Sequence, residues 1–500
     1  MKFSLEQVDI IEAAKTLIAD SVYNALRVNS VAGSGKTTIL LRCAIVQPVD
    51  KVVMLAFNKR IAEEIQAKIA KAKRQYSLEY FVDMVDLPEI QAATFHSFFL
   101  NYLRMRLGRQ VKVDKRKNHD IFAKLFPEDP AMVYPVVQLV SALKNCGYIM
   151  LTAMELTDVA DLAEEKNLEL PKGYTYQTMA KMAHKVFMTS VKDHTKVDFD
   201  DMLFLPVLFH RKHGWKCDRM PVCIVDEGQD MNSLQRYLVW MIADNAIIAG
   251  DKNQAIYGFR GADYNSMEMF NDHFTCKDLG MTYSWRCPQK IAPMVQPIVP
   301  QFKVPETAME GTIVEGTYGD YLAHEYKDRE NLWVCRMNYP LFKIALTYLK
   351  HGIPFDMHPK FPTQLLNLVK NFKCDLIPEF IAKLDDWFEK EQKRLAEKPN
   401  LLNQAEDKFK ALKILAKDST NVQNLLSTLN QLMFSDEGGV RLLTVHGAKG
   451  LEAKRVIILG INLMPSERAE SPEQIQQEQN LIYVAKTRAL EELVLLHLEK

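Results

Sequence analysis

Apolar residues in this chain fall into short runs, each closing on a polar or glycine-rich tip and then giving way to a helical period. The runs are Leu26 to Val31, Lys51 to Phe57, Ile90 to Thr94, Met220 to Val225, Ala246 to Ala249, Leu332 to Cys335, Val440 to Val445, Val456 to Leu459 and Leu493 to Leu496. Runs of this length without alternation predict strands covered on both faces. Strand, tip and helix in succession predict an α/β fold with parallel sheets, in which ligands gather at the carboxyl ends of the strands.

Helical spacing is clear at 4–20, where Leu5, Val8, Ile11 and Ala14 share a face behind the capping residue Ser4. It recurs at Ile39 to Val46 and at Ile61 to Ile69, and a last helix is expected from Gln479 to Glu491. Between about 100 and 200 helices follow one another without matching strands. From 365 to 433 the chain is again helical, with apolar faces at Phe380, Ile381, Leu384, Trp387 and Phe388 and at Leu425, Leu426, Leu429 and Leu432. That stretch is expected to be a small insertion with its own packing.

Composition narrows the class. Five hundred residues exceed one core, and 48% apolar with 25% charged residues is ordinary for a globular protein. Sixty-three basic residues balance sixty-three acidic ones, so a nucleic-acid partner has to be held by a local basic face. The run Arg104, Arg106, Arg109, Lys112, Lys115, Arg116 and Lys117 is either a solvated face or such a phosphate track. The eight cysteines form no C-x-x-C pair, which fits a reducing, cytoplasmic setting. His210, His213, Cys217 and Cys223 match no common zinc spacing. The first residues lack a signal-peptide apolar region, and no apolar stretch has membrane-spanning length.

The candidate chemistry begins at Ser30 to Thr38, SVAGSGKTT. A glycine-rich turn between a strand and a helix directs backbone N–H groups at a phosphate chain. Lys36 adds a point charge for the β and γ phosphates, and Thr37 a hydroxyl for magnesium. Ser30 stands where the pattern has glycine. Far downstream, the run ending at Val225 closes on Asp226-Glu227-Gly228-Gln229-Asp230. One carboxylate there suits the metal and the next suits activation of water. Gln7 is either an adenine-reading amide or a solvent-facing side chain. Tyr257, Phe259, Arg260, Trp285 and Arg286 are either a base-stacking surface or aromatic core.

In order, Gln7, AGSGKT (32–37), TFHS (94–97), VDEGQD (225–230), GDKNQAIYGFRGA (250–262), YSWR (283–286), TVHGAKGLE (444–452) and YVAKTRA (483–489) resemble the motif series of UvrD/Rep-like superfamily 1 DNA helicases. AFNKRIAEEI (56–65) is similar to the small phage and F-box members. The resemblance implies two RecA-like P-loop domains, each with a mainly helical insertion. The first domain is expected at 1–99 and 196–275 around an insertion at 100–195. The second is expected at 276–360 and 436–500 around a short insertion at 361–435.

It implies an ATP-dependent 3′-to-5′ helicase or translocase using ATP and Mg2+ on single-stranded DNA and single-strand/duplex junctions. It also implies a role in replication, repair or recombination, with proteins of those processes as partners. A monomer without membrane attachment is expected, in the cytoplasm, on the nucleoid, or in a host cytoplasm if phage-encoded. The alternatives are a single-strand-stimulated ATPase that strips proteins from DNA, and a nucleotide-gated binding module.

Carried over by position, Gln7 resembles the adenine reader, and Ala32, Gly33, Ser34, Gly35, Lys36, Thr37 and Thr38 the phosphate loop. Thr37 and Asp226 are the metal ligands, Glu227 the general base, Gln254 the γ-phosphate sensor, and Arg286 and Arg488 the arginine fingers. Trp285 stands where a tyrosine stacks on adenine, and Glu452 where the ribose is contacted. Thr94, His96, Tyr257, Phe259, Arg260 and His446 match single-strand contacts. Gly228 replaces a usual alanine, a change expected to be harmless.

Overall fold

The structure is a computed structural model that describes residues 3–80, 83–107, 111–146, 155–166, 168, 170–171, 173–256, 265–320, 328–396, 399–433 and 438–498. The strands run β1 Ala25–Ser30, β2 Lys51–Ala56, β3 Glu89–Thr94, β4 Lys112–Val113, β5 Lys196–Val197, β6 Met220–Val225 and β7 Ala243–Gly250. They continue with β8 Cys276–Met281, β9 Thr312–Thr317, β10 Asn331–Cys335, β11 Phe355–Met357, β12 Val440–Thr444, β13 Ala453–Leu459 and β14 Ala489–His497. The chain divides into two compact units. One comprises Met1–Ser30 and Gly35–Met281, and the other Val31–Ser34 and Thr282–Lys500.

The first unit holds a six-stranded sheet in the order β3-β2-β6-β7-β1-β8, with every pairing parallel. The central strands β2, β6 and β7 are mostly apolar and buried because both their faces are covered, whereas the edge strands β3 and β8 carry polar, partly exposed residues. Along β2, Val52 and Met54 pack with Leu26, Val28 and Ile39 on one face, and Val53 and Leu55 with Phe95 and Phe99 on the other. The strand Cys276–Met281 pairs with β1 and so completes this first sheet, whereas the expected bounds assign it to the second domain from 276. Within the helical stretch, β4 and β5 form a two-stranded ladder, an addition to the helices expected there.

The second unit holds six parallel strands in the order β11-β12-β10-β13-β14-β9. The last helix is Pro472–Lys486, capped by Ser471, and it stops before the expected Glu491. Leu490, Glu491 and Glu492 suit a helix locally, but they belong to β14, which is held between β13 and β9. Sheet pairing overrides local propensity at that point.

Helices at 360–433 are present as expected, but they do not pack on their own. Phe380, Leu384, Leu412, Leu425 and Leu429 share one core with Trp333, Leu442 and Ile457 of the second sheet. The insertion of the first unit is joined likewise: Phe122, Val136, Leu139, Met179 and Val186 are continuous with Val53, Cys223 and Val225.

Candidate nucleotide and nucleic-acid sites

In the first unit β7 lies between β6 and β1, so the loops leaving these three neighbouring strands meet at one edge of the sheet. The phosphate loop leaves β1, and Gly35 takes φ +84° as the residue before the helix Lys36–Ile45. A left-handed backbone is cheap only for glycine, and it turns the first helical N–H groups outward. Ser30, the departure from the loop pattern, is buried and donates its hydroxyl to the Gly250 carbonyl at 2.8 Å. It ties the end of β1 to the end of β7.

DEGQD leaves β6. Thr37 Oγ1 donates to Asp226 Oδ2 at 3.0 Å, across 189 positions of sequence. Asp226 is buried, and burial together with the adjacent Glu227 carboxylate pushes its carboxyl up to about 6, against the pull of Lys36 and of the Thr37 hydroxyl. A hydroxyl and a carboxylate side by side are hard oxygen donors of the kind magnesium takes while keeping several waters. The arrangement therefore fits that ion.

Glu227 has φ +55°, one of two non-glycine residues with positive φ among those described. Its N–H donates to Asp226 Oδ1 at 2.8 Å, and its Oε2 accepts from Gln229 Nε2 at 2.6 Å. Gln229 Oε1 accepts in turn from the Asp251 N–H at 3.0 Å, and Asp251 Oδ2 accepts from Gln254 Nε2 at 2.7 Å. The expected base and the expected phosphate sensor are thus linked through Gln229, a residue the motif comparison left without a role. The strained backbone at Glu227 is held by this chain.

Gly228 is less neutral than expected. A Cβ built there would stand 2.5 Å from Ile248 Cγ2 and 2.8 Å from Met267 Sδ, so these neighbours have taken the space an alanine needs.

Gln7 is buried, and its Oε1 accepts from the Ser4 N–H in a capping box. Its Nε2 faces the phosphate loop, 3.5 Å from where a Cβ on Gly35 would be. The side chain is therefore not solvent-facing. Thr38 is exposed on the first turn of its helix.

The strand contacts expected in the first unit lie at the edge strand β3. Thr94 caps the helix Phe95–Leu107 reciprocally with Ser97, with both N–H to Oγ bonds at 3.0 Å. Burial holds the His96 imidazole below its ordinary value, which favours a neutral ring. Of the basic run, Arg104 and Arg106 donate to the Val111 and Lys216 carbonyls, and Asp114 pairs with Lys196. Arg109, Tyr257, Phe259 and Arg260 lie outside the described residues. In the grouping His210, His213, Cys217 and Cys223, His210 Nδ1 meets the Trp215 carbonyl and Cys223 is buried in β6.

The second unit divides its candidates between opposite edges of its sheet. His446 follows the carboxyl end of β12, on a short turn that Thr444 caps through the Gly447 N–H. Glu452 and Arg488 instead precede β13 and β14, whose first residues Ala453 and Ala489 are in register. Arg286 pairs with Glu452 at 2.7 Å. Arg488 is 1% exposed, and its guanidinium donates to the Val484 and Leu451 carbonyls and to Thr487 Oγ1. Trp285 is 53% exposed, which removes it from the aromatic-core reading.

Comparison with known proteins agrees with this geometry. The UvrD/REP helicase N-terminal domain model matches residues 12–275, and the UvrD-like helicase C-terminal domain model matches 360–500. The chain is 24% identical over 601 residues to a probable DNA helicase II homolog of Mycoplasma pneumoniae, covering 94% of this chain and 81% of that one. It is 25% identical to F-box DNA helicase protein 1 of Schizosaccharomyces pombe, over 94% of this chain and 55% of that protein. It is 22% identical to the ATP-dependent DNA helicase srs2 of the same yeast, over 61% of this chain. The matched region spans 36% of srs2.

Proposed function

Because the chain belongs to the UvrD/Rep-like family of superfamily 1 helicases, we propose that it is an ATP-dependent DNA translocase that moves 3′ to 5′ on single strands and opens duplex ahead of it. The observation that carries the reading is the contact between Thr37 of the phosphate loop and the buried Asp226, with Glu227 held beside them. Lys36 binds the phosphates, and Thr37 and Asp226 would hold Mg2+, which would draw charge from the phosphate oxygens when bound. Glu227 orients and deprotonates water, and Gln254 reports on the γ-phosphate through Asp251.

Arg286 and Arg488 complete the site from the second unit in this proposal, and closing onto ATP costs each its present partners. Arg286 leaves Glu452, which is then free for the ribose, and Arg488 gives up its carbonyl bonds. Such a competition makes the closed state depend on ATP, because the ligand supplies the differential contact. Trp285, already exposed, stacks on adenine beside Gln7. Thr94, His96 and His446, with Tyr257, Phe259 and Arg260, grip the unpaired strand, and alternate grip and release drive the motion. The setting is DNA replication, repair or recombination.

The test is strand displacement from duplexes carrying a 3′ or a 5′ single-stranded tail. Unwinding is expected only with the 3′ tail and ATP, and Lys36→Ala should abolish it together with hydrolysis. Hydrolysis surviving in Lys36→Ala removes the basis of the proposal. Hydrolysis without displacement on either tail points to protein removal from single strands.

A further inference from the structure

The cap and first three residues of the helix Phe199–His213 reach three places, since Asp198 and Asp201 share Lys144. Asp198, its cap, accepts from Lys144 Nζ at 2.7 Å and Asn118 Nδ2 at 2.5 Å. The Phe199 ring lies 5.9 Å from that of His96. Asp200 Oδ1 accepts from Asn145 Nδ2 at 2.7 Å. Asp201 takes Lys117 at 2.6 Å and Lys144 at 2.6 Å, all three side chains at most 1% exposed. These ion pairs clamp the turn to the helices Lys117–Leu125 and Val133–Asn145 of the insertion, so turn and insertion move together.

One arm of the cluster leads out of it. Asn145 Oδ1 accepts from Asn232 Nδ2 at 3.3 Å. Asn232 lies two positions after DEGQD and caps the helix Ser233–Ile242 by accepting from the Gln235 N–H at 2.9 Å. Neither amide can turn over. Asn145 already donates to Asp200 and to the Ser141 carbonyl, and a reversed Asn232 would lose its cap. A continuous polar path therefore runs from Asp200 through Asn145 to Asn232, two positions beyond the motif that carries Glu227, and it begins beside the ring that touches His96.

We infer that Asn145 is a positioning residue: it ties the first turn of the Phe199–His213 helix to Asn232, so that single-strand binding at the carboxyl end of β3 raises turnover at Glu227. Spatial continuity only nominates such a path, and coupling has to be measured. The inference rests on the proposed function, because it concerns how the strand stimulates hydrolysis.

The experiment compares ATP hydrolysis with and without single-stranded DNA in the full chain and three variants. Asn145→Ala removes the bridge at a half-buried position. Asn232→Asp keeps the cap acceptor but loses the amide donor. The third variant combines both. In each single variant the stimulation by DNA should fall about fivefold, while basal kcat, KM for ATP and affinity for a labelled oligonucleotide stay within about twofold. The combined variant should lose no more than either alone, as expected for two ends of one contact. Unchanged stimulation overturns the inference, and so does a proportional fall of basal and stimulated rates or a multiplication of losses in the combined variant. An unmodified chain that DNA does not stimulate overturns the proposed function, and this inference with it. Normal stimulation in Asn145→Ala overturns the inference alone.

Discussion

The main sheets of the two units have six strands each, all paired in parallel, and each insertion shares an apolar core with its sheet, yet the polar contacts added to that core differ. In the first unit a buried ionic cluster is added to that core: Lys144 pairs with Asp198 and Asp201, and Lys117 with Asp201. In the second the core runs through Phe380, Leu412 and Leu425, and the added carboxylates are the more exposed Glu406 with Arg468 and Asp418 with Lys350, and one that is buried. That carboxylate, Asp407, accepts from the N–H groups of Asn338 and Tyr339 at 2.8 and 2.6 Å and so caps the helix that follows β10. Apolar contact stabilises without fixing direction, whereas a buried pair tolerates one geometry. The unit whose insertion, on the inference above, holds a turn in register with a catalytic motif is the one whose ion pairs are fully buried.

The largest effect should come from breaking the ionic attachment. Lys144→Met leaves Asp198 without its lysine and Asp201 with Lys117 alone, and should cost about 3 to 5 kcal/mol, read from the urea unfolding of the first unit. Next is the apolar attachment: Leu412→Ala should cost about 2 to 4 kcal/mol in the second unit and leave the first unit's transition unmoved. A Lys144→Met effect smaller than that of Leu412→Ala would remove the contrast. The smallest is Asp407→Asn, about 1 kcal/mol at neutral pH through weaker capping.

Acid and alkali sharpen the same contrast. Burial pushes the Asp407 carboxyl up from 3.8, against the N–H groups that pull it down. Its protonated form is thus favoured by folding, and the second unit should lose stability as pH rises from about 4 through the raised value. Asp407→Asn should flatten that loss. For Lys144, burial pulls the ammonium down but Asp201 and Asp198 outweigh it, so its value is raised above 10.5. Its contribution is complete below 10.5 and disappears only as pH climbs through the raised value. Unfolding midpoints of the two units against pH would record both slopes.

Much of the nucleotide half was legible in the chain. Strand runs and tips placed Lys36, Thr37, Asp226 and Glu227 at the carboxyl ends of strands, and in a parallel sheet those ends lie along one edge. The reason for Ser30 was not legible, since its partner is a backbone carbonyl 220 positions away. Gly228 looked harmless because sequence cannot show that Ile248 and Met267 fill the space above it. The faces at 365–433 were correctly apolar, but periodicity tells which side is buried and not against what. The carboxyl-end rule served the first sheet and failed for Glu452 and Arg488, which sit at the amino ends of their strands. Only the motif resemblance pointed to them.

The central claim is that Glu227 activates water at a site that Lys36, Thr37 and Asp226 build around ATP. Its most direct test is phosphate release and nucleotide binding by Glu227→Gln, with and without single-stranded DNA. The account predicts that ATP and DNA bind with affinities within about twofold of the unmodified chain while turnover falls by at least about a hundredfold. Binding and turnover lost in equal measure, or turnover retained, would contradict it.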